Sequence, residues 1–382
     1  MVRILHLSDA HLGRVQYHLP QREEDYHRQF VEVLKLARQA DAVLITGDLF
    51  DSRRPSTRSL VNLLDALEGI DLPIYAIGGN HDYHHLRPDE TPLRVLDKLR
   101  IIRLLCFDGV DAGGVYIYGA CAMPRSRAAE FKGALLKAPP HAILAIHQAV
   151  EGVKARYPAD VDEYTMPQSA FAKLSFSHIA AGHVHDHAAR HPLGILWAGS
   201  IEVWDASEFE TWDWRAGRWE LAQPQSPKGA ILIDAGDKSA SARPVEVPTR
   251  RRMLRLRIFV ESEDDIAVAL GDAARRFDSP GAVVRIELYG EVEAKRRAAQ
   301  PPFSRALYVD VIDRLKRPKG AVAFGGGSVY AAIENLLKDR LGAEGAAAVL
   351  KALSYVREGE LSLAKKVVED WLNKEDSRGP AV

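Results

Sequence analysis

The first half of the chain alternates short apolar runs with longer stretches in which apolar residues recur every three or four positions. A short apolar run predicts a strand buried on both faces, whereas the longer spacing predicts a helix packed on a sheet. The predicted strands are residues 3–7, 42–46, 73–77, 115–119, 142–146, 179–181, 195–198 and 230–233. Predicted helices begin near Gln21 and after Pro55. This order predicts an α/β fold.

The second half of the chain has a different pattern, which predicts further domains. Residues 223–248 are rich in Pro, Ser, Gly and Lys, as is typical of a boundary, and a strand–helix–strand pattern follows over 253–289. The sequence Phe-Gly-Gly-Gly-Ser at 324–328 predicts a hinge before helices that continue to about residue 374. The predicted domains are 1–240, a small α+β domain at 250–318, and a helical segment at 329–374.

Composition narrows the class of protein. Of the 382 residues, 47% are hydrophobic and 27% are charged, which is an ordinary balance for a globular protein. The two cysteines, Cys106 and Cys121, are too few for a disulfide scaffold or a Cys-rich zinc site. We find no transmembrane run and no signal-peptide pattern, so we expect a cytoplasmic protein. The net charge of −1 argues against a uniformly basic surface but allows a local one.

Polar residues with metal-binding chemistry directly follow five of the predicted strands. All 14 histidines of the chain lie between His6 and His191, so the ionisable chemistry is concentrated in the first half. The residues at the strand ends are Asp9, His11, Asp48, Asn80, His81, His147, His183 and His185. Because ligands bind at the carboxyl ends of strands in open α/β sheets, we expect these side chains to converge on one crevice.

The donor atoms in this group favour a pair of metal ions. Carboxylate and amide oxygens together with imidazole nitrogens suit Mn, Fe or Zn better than Ca or Mg. Seven such donors are too many for one tetrahedral Zn²⁺ and suit two ions that share a carboxylate. Gly47, Gly182 and the pair at 78–79 would let the backbone bend sharply beside the ions. Two neighbouring ions are suited to in-line displacement at phosphorus.

In chain order these residues form the motifs Asp-x-His, Gly-Asp, Gly-Asn-His-Asp, His and Gly-His-x-His. The set resembles the signature of the calcineurin-like metallophosphoesterases. Segments 11–13, 20–24, 47–50 and 198–205 are also similar to the Mre-eleven (meiotic recombination eleven) and SbcD family of DNA double-strand-break repair nucleases. The resemblance is dense over residues 1–205 and rests on domain order beyond them. It implies a metallophosphoesterase β-sandwich flanked by helices, a small α+β capping domain and C-terminal helices.

The resemblance also implies two Mn²⁺ ions per subunit and divides the ligands between them. One ion would be held by Asp9, His11 and His185, the other by Asn80, His147 and His183, with Asp48 bridging. His81 would face the phosphate, where it stabilises the transition state or protonates the leaving 3′ oxygen. Asp82 would orient the imidazole of His81.

Asp51 departs from many members of the family, which carry a histidine there that helps to select or distort the DNA strand. An ionised Asp51 cannot donate the same hydrogen bond, so the balance between exonuclease and endonuclease action is not inherited. Two roles for Asp51 stay open at this point. It is either a hydrogen-bond acceptor behind the metal ligands or the N-cap of the helix that follows Pro55.

Several basic residues are candidates for contact with DNA phosphates. Each cluster is equally compatible with a solvent-exposed face that binds nothing. They are Arg22, Arg53, Arg54, Arg58, the run Arg250, Arg251 and Arg252 with nearby Arg243, Arg255 and Arg257, and the cluster at 295–297. Contacts of this kind bind DNA without reading its sequence.

The last predicted helix carries an apolar stripe that includes Leu361, Val367, Val368 and Trp371. The resemblance implies that these helices bind the coiled-coil base of a Rad-fifty-type ABC ATPase and that the chain forms a homodimer. The alternative is a helical bundle that packs on itself.

The favoured function is therefore a manganese-dependent double-stranded DNA exonuclease and single-stranded DNA endonuclease that processes ends in break repair. A phosphatase or small-molecule phosphodiesterase is disfavoured, because the sequence at 50–53 lacks the Asp-Arg-Gly continuation of the serine/threonine phosphatases. A scaffold without turnover would require the loss of a ligand, and all seven are present.

Overall fold

The computed structural model describes residues 1–83, 91–153, 165–172, 174–292, 301–316, 329–358 and 361–376. The chain divides into two compact units, Met1–Arg317 and Pro318–Val382. The strands are β1 (Val2–Leu7), β2 (Ala42–Thr46), β3 (Ile74–Ile77), β4 (Arg103–Leu104), β5 (Asp108–Asp111), β6 (Tyr116–Ala120), β7 (Ile143–His147), β8 (His178–Gly182), β9 (Ile195–Trp197), β10 (Glu210–Arg215), β11 (Arg218–Gln223), β12 (Gly229–Ala235), β13 (Ala240–Glu246), β14 (Met253–Phe259), β15 (Val283–Tyr289) and β16 (Tyr308–Asp313).

The α-helices are α1 (Pro20–Leu34), α2 (Thr57–Leu67), α3 (Pro92–Lys98), α4 (Ala128–Leu135), α5 (Glu263–Phe277), α6 (Val329–Glu358) and α7 (Leu361–Asp376). Single 3₁₀ turns cover Gln16–His18, Lys35–Gln39, Arg125–Arg127 and Gln168–Phe171.

Two sheets pack against each other in the first unit. One has the strand order β13-β12-β1-β2-β3-β4 and the other has the order β5-β6-β7-β8-β9. Ile117, Ala145 and Ala180 of the second sheet join the apolar core that contains the first sheet. The opposite face of the second sheet packs against Phe131 and Leu135 of α4. This arrangement confirms the α/β sandwich flanked by helices.

Strands β1, β2 and β3 are parallel neighbours, as are β7 and β8. Their residues are apolar on both faces and almost entirely buried, as expected of parallel strands covered on both sides. Parallel neighbours end at the same edge of a sheet. The loops after β1, β2 and β3 therefore lie side by side, and so do the loops after β7 and β8.

A third sheet crosses the domain boundary that the sequence analysis expected. Its order is β11-β10-β14-β15-β16, and α5 packs on one face. Strands β10 and β11 belong to this sheet although they lie within the predicted domain 1–240. Strands β12 and β13 occupy the predicted boundary 223–248 and return to the first sheet beside β1. The polar composition at 223–248 is that of an exposed edge strand, β13, and its connections.

Cys106 and Cys121 form a disulfide that the sequence analysis did not predict. The hydroxyl of Tyr83 lies 2.9 Å from each sulfur, and the backbone N–H of Gly78 donates to Cys121 Sγ over 3.1 Å. One bridge is not a disulfide scaffold, and a large apolar core accompanies it.

The second unit contains α6 and α7, which pack on each other. Gly342 in α6 has φ of 72° and turns the helix, so α6 consists of two segments. A Cβ atom at Gly345 would lie 2.8 Å from the Trp371 ring, which shows how closely the helices approach. The predicted hinge at 324–328 lies outside the described residues. Among the described helices, none is long and apolar enough to cross a membrane.

Candidate metal centre

The predicted ligands leave the ends of β1, β2, β3, β7 and β8 and meet at one edge of the sandwich. The loops after β1 and β2 are joined by backbone hydrogen bonds from Asp9 N to Gly47 O (3.1 Å) and from His11 N to Asp48 O (3.0 Å). Asp9, His11 and Asp48 have φ between 44° and 51°, and His183 has φ of 86°. Non-glycine residues adopt such angles at a cost of about 1–3 kcal/mol each, and this cost is typical of functional sites.

The donor atoms of these side chains lie close together. His147 Nε2 is 3.3 Å from Asp48 Oδ2 and 3.0 Å from Asn80 Oδ1. His185 Nε2 is 3.5 Å from Asp9 Oδ1 and 3.4 Å from His11 Nε2. Two groups, Asp9–His11–His185 and Asp9–Asp48–His147, each bring their donor atoms within 4.8 Å of one another.

His183 is held differently from the other predicted ligands. Its backbone N–H donates to both Asp9 carboxylate oxygens, over 3.0 and 3.2 Å. Its ring centroid lies 5.3 Å from that of His147. The side chain of His183 therefore lies beside His147 of the second ligand group.

The donor set fits a pair of cations. Carboxylate oxygens and imidazole nitrogens converge in a buried pocket, where like groups would otherwise repel or remain unpaired. Burial lowers the pKa of His147, but the Asp48 and Asp9 carboxylates outweigh that effect and raise it to about 10. A metal ion bound by these groups would displace this proton.

His81 lies at the edge of the same pocket. Its ring Nδ1 is 2.9 Å from the Asp51 carbonyl oxygen, which can only accept, so Nδ1 carries the hydrogen. Burial lowers the pKa of His81, but Asp48 and the Asp51 carbonyl raise it above the ordinary value overall. His81 also lies within 4.8 Å of the donors of His11 and Asp48, close enough to reach a substrate bound there.

The sequence analysis expected Asp82 to orient His81, but the structure gives it other contacts. Its carboxylate is fully buried and accepts backbone N–H groups from Gly79 (3.0 Å), Phe50 (3.2 Å) and Leu49 (3.4 Å). Burial and the nearby Asp48 raise its pKa to about 7. Asp82 therefore ties the loop after β2 to the loop after β3, which keeps their ligands in register.

Asp51 is not the N-cap of the helix after Pro55. Ser56 has that role, because its side chain accepts from the Ser59 backbone N–H over 3.0 Å. The Asp51 carboxylate instead lies 3.5 Å from His11 Nδ1 and 3.2 Å from Arg14 Nη1. Of the two open roles, the acceptor behind a metal ligand agrees with this geometry.

Two residues at the site were missed by the sequence analysis. The Trp204 ring lies 4.0 Å from the His11 ring and 4.8 Å from the His185 ring, measured between centroids. The Arg14 guanidinium lies 3.3 Å from the Trp204 ring centroid. Trp204 belongs to the family-like segment 198–205, so a signal was present, but nothing in the sequence indicated contact with His11.

Two of the predicted DNA-binding arginines are engaged inside the protein. Arg22 is fully buried against Asp25 and Glu202. Arg251 pairs with Asp25 and donates to the Gly281 carbonyl. These two guanidiniums hold parts of the fold together, so they are assigned to the internal network and not to a DNA surface.

Other predicted cations remain accessible. Arg250 is exposed and Arg252 is partly exposed while paired with Glu210. Arg53 and Arg54 line a cavity of about 650 Å³ beside the start of α3. The cluster at 295–297 lies outside the described residues.

Comparison with known proteins finds one matching family model and several similar proteins. A family model described as calcineurin-like phosphoesterase matches residues 2–187. The DNA double-strand break repair protein Mre11 of Haloferax volcanii is 32% identical over 317 residues, covering 80% of this chain and 65% of that protein. Mre11 of Sulfolobus acidocaldarius is 25% identical over 99% of this chain and 96% of its own length. Mre11 of Saccharolobus solfataricus is 30% identical over 61% of this chain and 60% of its own length.

The chain thus spans slightly less than two thirds of the Haloferax and Saccharolobus relatives and nearly all of the Sulfolobus one. All five metal-binding motifs lie within the stretch that the family model matches. Because those motifs also converge at one sheet edge, residues 2–187 form a calcineurin-like phosphoesterase domain, in a chain that is similar to Mre11 proteins over most of its length.

Proposed function

We propose that this protein is a DNA nuclease that processes DNA ends during double-strand-break repair. The observation that carries the proposal is the convergence of seven predicted ligands from five loops, with His81 at the rim. The names of the Mre11 relatives support DNA as the substrate. Both double-stranded exonuclease and single-stranded endonuclease action belong to the proposal.

The cofactor is proposed to be two Mn²⁺ ions per subunit. Asp9, His11 and His185 would hold one ion, Asn80, His147 and His183 the other, and Asp48 would lie between them. When bound, such a pair supplies activated water and neutralises charge on the phosphodiester. The mixture of imidazole and oxygen donors supports a transition metal over Mg²⁺.

His81 is proposed to act on the substrate and not on the metal. Because its Nδ1–H is donated to Asp51 O, its Nε2 is left for the substrate phosphate. A raised pKa favours the protonated ring, which can donate to a phosphate oxygen or protonate the leaving oxygen.

DNA is proposed to contact basic grooves on either side of α1 and α2. A cavity of about 860 Å³ is lined by residues that include Arg28, Arg58, Arg250 and Arg252. Arg53 and Arg54, which precede α2, are further proposed phosphate contacts. Contacts from such residues to phosphates would make binding independent of sequence and sensitive to salt.

A homodimer is supported by apolar side chains on α2 and α3 that face solvent. The exposed fraction is 59% for Val95 and 64% for Leu99, and Val61 and Leu64 of α2 are also more than two fifths exposed. An apolar surface of this kind is typical of a protein–protein interface.

The second unit is proposed to bind a Rad-fifty-type ATPase. Trp371 packs against α6 at Gly345, and Val367 and Val368 are partly buried, which agrees in part with a self-packed pair. Leu353, Leu363 and Leu372 remain exposed. These outward leucines are the proposed docking residues, whereas the side chain of Leu361 lies outside the described residues.

Cleavage of end-labelled linear duplex DNA tests the proposal. The purified chain is assayed with Mn²⁺, with Mg²⁺ and with chelator, and Asp48→Ala serves as the variant without the bridging carboxylate. We expect Mn²⁺-dependent degradation that the variant loses. Hydrolysis of bis-p-nitrophenyl phosphate with DNA left intact would indicate a small-molecule phosphodiesterase instead, and no hydrolysis of either would indicate a scaffold.

A further inference from the structure

Arg14 is placed between two groups that both touch the metal centre. Its Nη1 lies 3.2 Å from Asp51 Oδ1, and its guanidinium carbon lies 3.3 Å from the centroid of the Trp204 ring. A planar guanidinium can stack on an aromatic face and bind a carboxylate at the same time, which an ammonium group cannot do. Arg14 is only 23% exposed, so both contacts are partly shielded from water.

Both partners of Arg14 contact the imidazole of His11. The Trp204 ring packs 4.0 Å from the His11 ring, and Asp51 Oδ1 lies 3.5 Å from His11 Nδ1. His11 is fully buried, and its Nε2 points toward His185 and Asp48. A carboxylate on the far nitrogen of a metal-binding histidine fixes the tautomer and orientation of the ring.

The backbone of Asp51 extends the same arrangement to His81, whose Nδ1 lies 2.9 Å from Asp51 O. One residue thus holds two imidazoles, one through its side chain and the other through its carbonyl. The position of Arg14 affects both because it holds the Asp51 carboxylate.

Trp204 is anchored independently of Arg14. Its backbone N–H donates to Glu208 Oε2 over 2.7 Å, and its carbonyl accepts from Gln16 Nε2 over 2.6 Å. Glu208 is fully buried and pairs with the buried Lys228 over 2.7 Å. The position of Trp204 is therefore fixed by its backbone, and Arg14 connects its ring to the carboxylate of Asp51.

We propose that Arg14 is a positioning residue of the metal centre, which clamps Asp51 against Trp204 and so orients His11 toward the ions and His81 toward the phosphate. The proposal rests on the ligand set given under Proposed function. It does not depend on whether the substrate is DNA, because the geometry concerns the reacting phosphodiester only.

The test uses the full chain and compares Arg14→Gln, Arg14→Lys and Asp51→Asn with wild type. Mn²⁺ binding is measured by electron paramagnetic resonance of the free ion, and kcat and KM are measured with bis-p-nitrophenyl phosphate. Arg38→Gln, at an exposed position on the 3₁₀ turn after α1, is the matched control. Urea unfolding establishes that each variant is folded.

We expect Arg14→Gln to weaken Mn²⁺ binding by about tenfold or more, as is usual when a group behind a metal ligand is removed. kcat should fall with little change in KM, and Arg14→Lys should restore only part of both, since it keeps the charge but not the stacked fork. Asp51→Asn should give a similar loss, and the double variant should be no worse than either single one.

Wild-type Mn²⁺ affinity and kcat in folded Arg14→Gln would overturn the positioning role while leaving the ligand set intact. Additive losses in the double variant would also overturn it, because Arg14 would then act without Asp51. A wild-type chain that binds no Mn²⁺ would overturn the ligand set and this proposal together.

Discussion

Arg251 binds Asp25 with two of its nitrogens, although 226 residues separate them in the chain. Asp25 lies on α1 beside the first sheet, and Arg251 leads into β14 of the third sheet. Arg22 contacts the same carboxylate from inside the core, at 2.8 Å. The middle residue of the basic run at 250–252 therefore makes an interior contact, and Arg250 and Arg252 on either side of it are exposed.

Arg251→Gln should lower the free energy of unfolding by about 2 kcal/mol, because the variant loses charge-assisted hydrogen bonds that are largely shielded from water. Arg250→Gln, at an exposed position, should change it by less than about 0.5 kcal/mol. Urea unfolding measures both values.

The dependence of DNA affinity on salt concentration separates the roles of the two arginines further. Only Arg250→Gln should flatten the slope of log affinity against log salt concentration, by about one unit. If Arg251→Gln flattened the slope and Arg250→Gln did not, Arg251 would belong to the DNA-binding surface.

His178, at the start of β8, should make stability depend on pH. Burial and the charge of Arg190 lower its pKa from 6.5 to about 4. Between those values the unfolded chain binds a proton that the folded chain does not, so stability is lost as the pH falls through this window. At pH 4 the loss is at most about 3 kcal/mol, and His178→Gln should remove it. Parallel pH profiles for wild type and variant, aligned at pH 8, would contradict this assignment.

Gly79→Ala should disrupt the metal centre. A Cβ atom there would lie 2.0 Å from Asp48 Oδ1 and 2.5 Å from the Asp48 backbone nitrogen, so the Asp48 carboxylate must move. A displacement of this size should lower kcat by about a hundredfold and weaken Mn²⁺ binding.

Gly133→Ala is the control for that substitution, since a Cβ atom in this α4 position meets nothing within 4 Å. It should keep wild-type activity and gain up to about 1 kcal/mol of stability from better helix propensity. Equal activity of the two variants would show that the loop after β3 tolerates displacement.

Leu372→Asp should weaken binding of a Rad-fifty-type ATPase by about thirtyfold, which corresponds to about 2 kcal/mol for an interface anchor. Its side chain is 47% exposed on α7. Titration calorimetry with the coiled-coil base of the ATPase measures the affinity, and Lys365→Gln, at a more exposed position of the same helix, is the control. Unchanged affinity would favour helices that only pack on each other.

The sequence predicted that the candidate ligands lie close together, because each follows an apolar strand directly and parallel strands end at a common edge. The same logic fails for side chains whose role depends on a distant partner. Asp82 is next to His81 in the chain, yet its carboxylate turns to the backbone of the loop after β2. Asp51 is not an N-cap because α2 begins only at Thr57, with Ser56 as its N-cap.

Charge patterns were the least informative part of the sequence. A run of arginines predicts a basic surface only where no carboxylate reaches it. In the fold, Arg255 pairs with Glu287 and Arg257 with Asp213, across neighbouring strands. Those partners are set by the register of the third sheet, and the sequence does not reveal that register.

The sequence by itself determined the resemblance to metallophosphoesterases, the parallel strands and the order of the motifs, because these depend on local order: an apolar run, then donor residues at its end. Only the tertiary structure decided which residues support the ligands. Trp204 reaches His11 across nearly two hundred positions, and Arg14 meets it there because β1 and the segment after β9 lie side by side, joined by a bridge between Ser8 and Ser200. Contacts of this kind arise from packing between distant segments, and the order of residues along the chain does not record them.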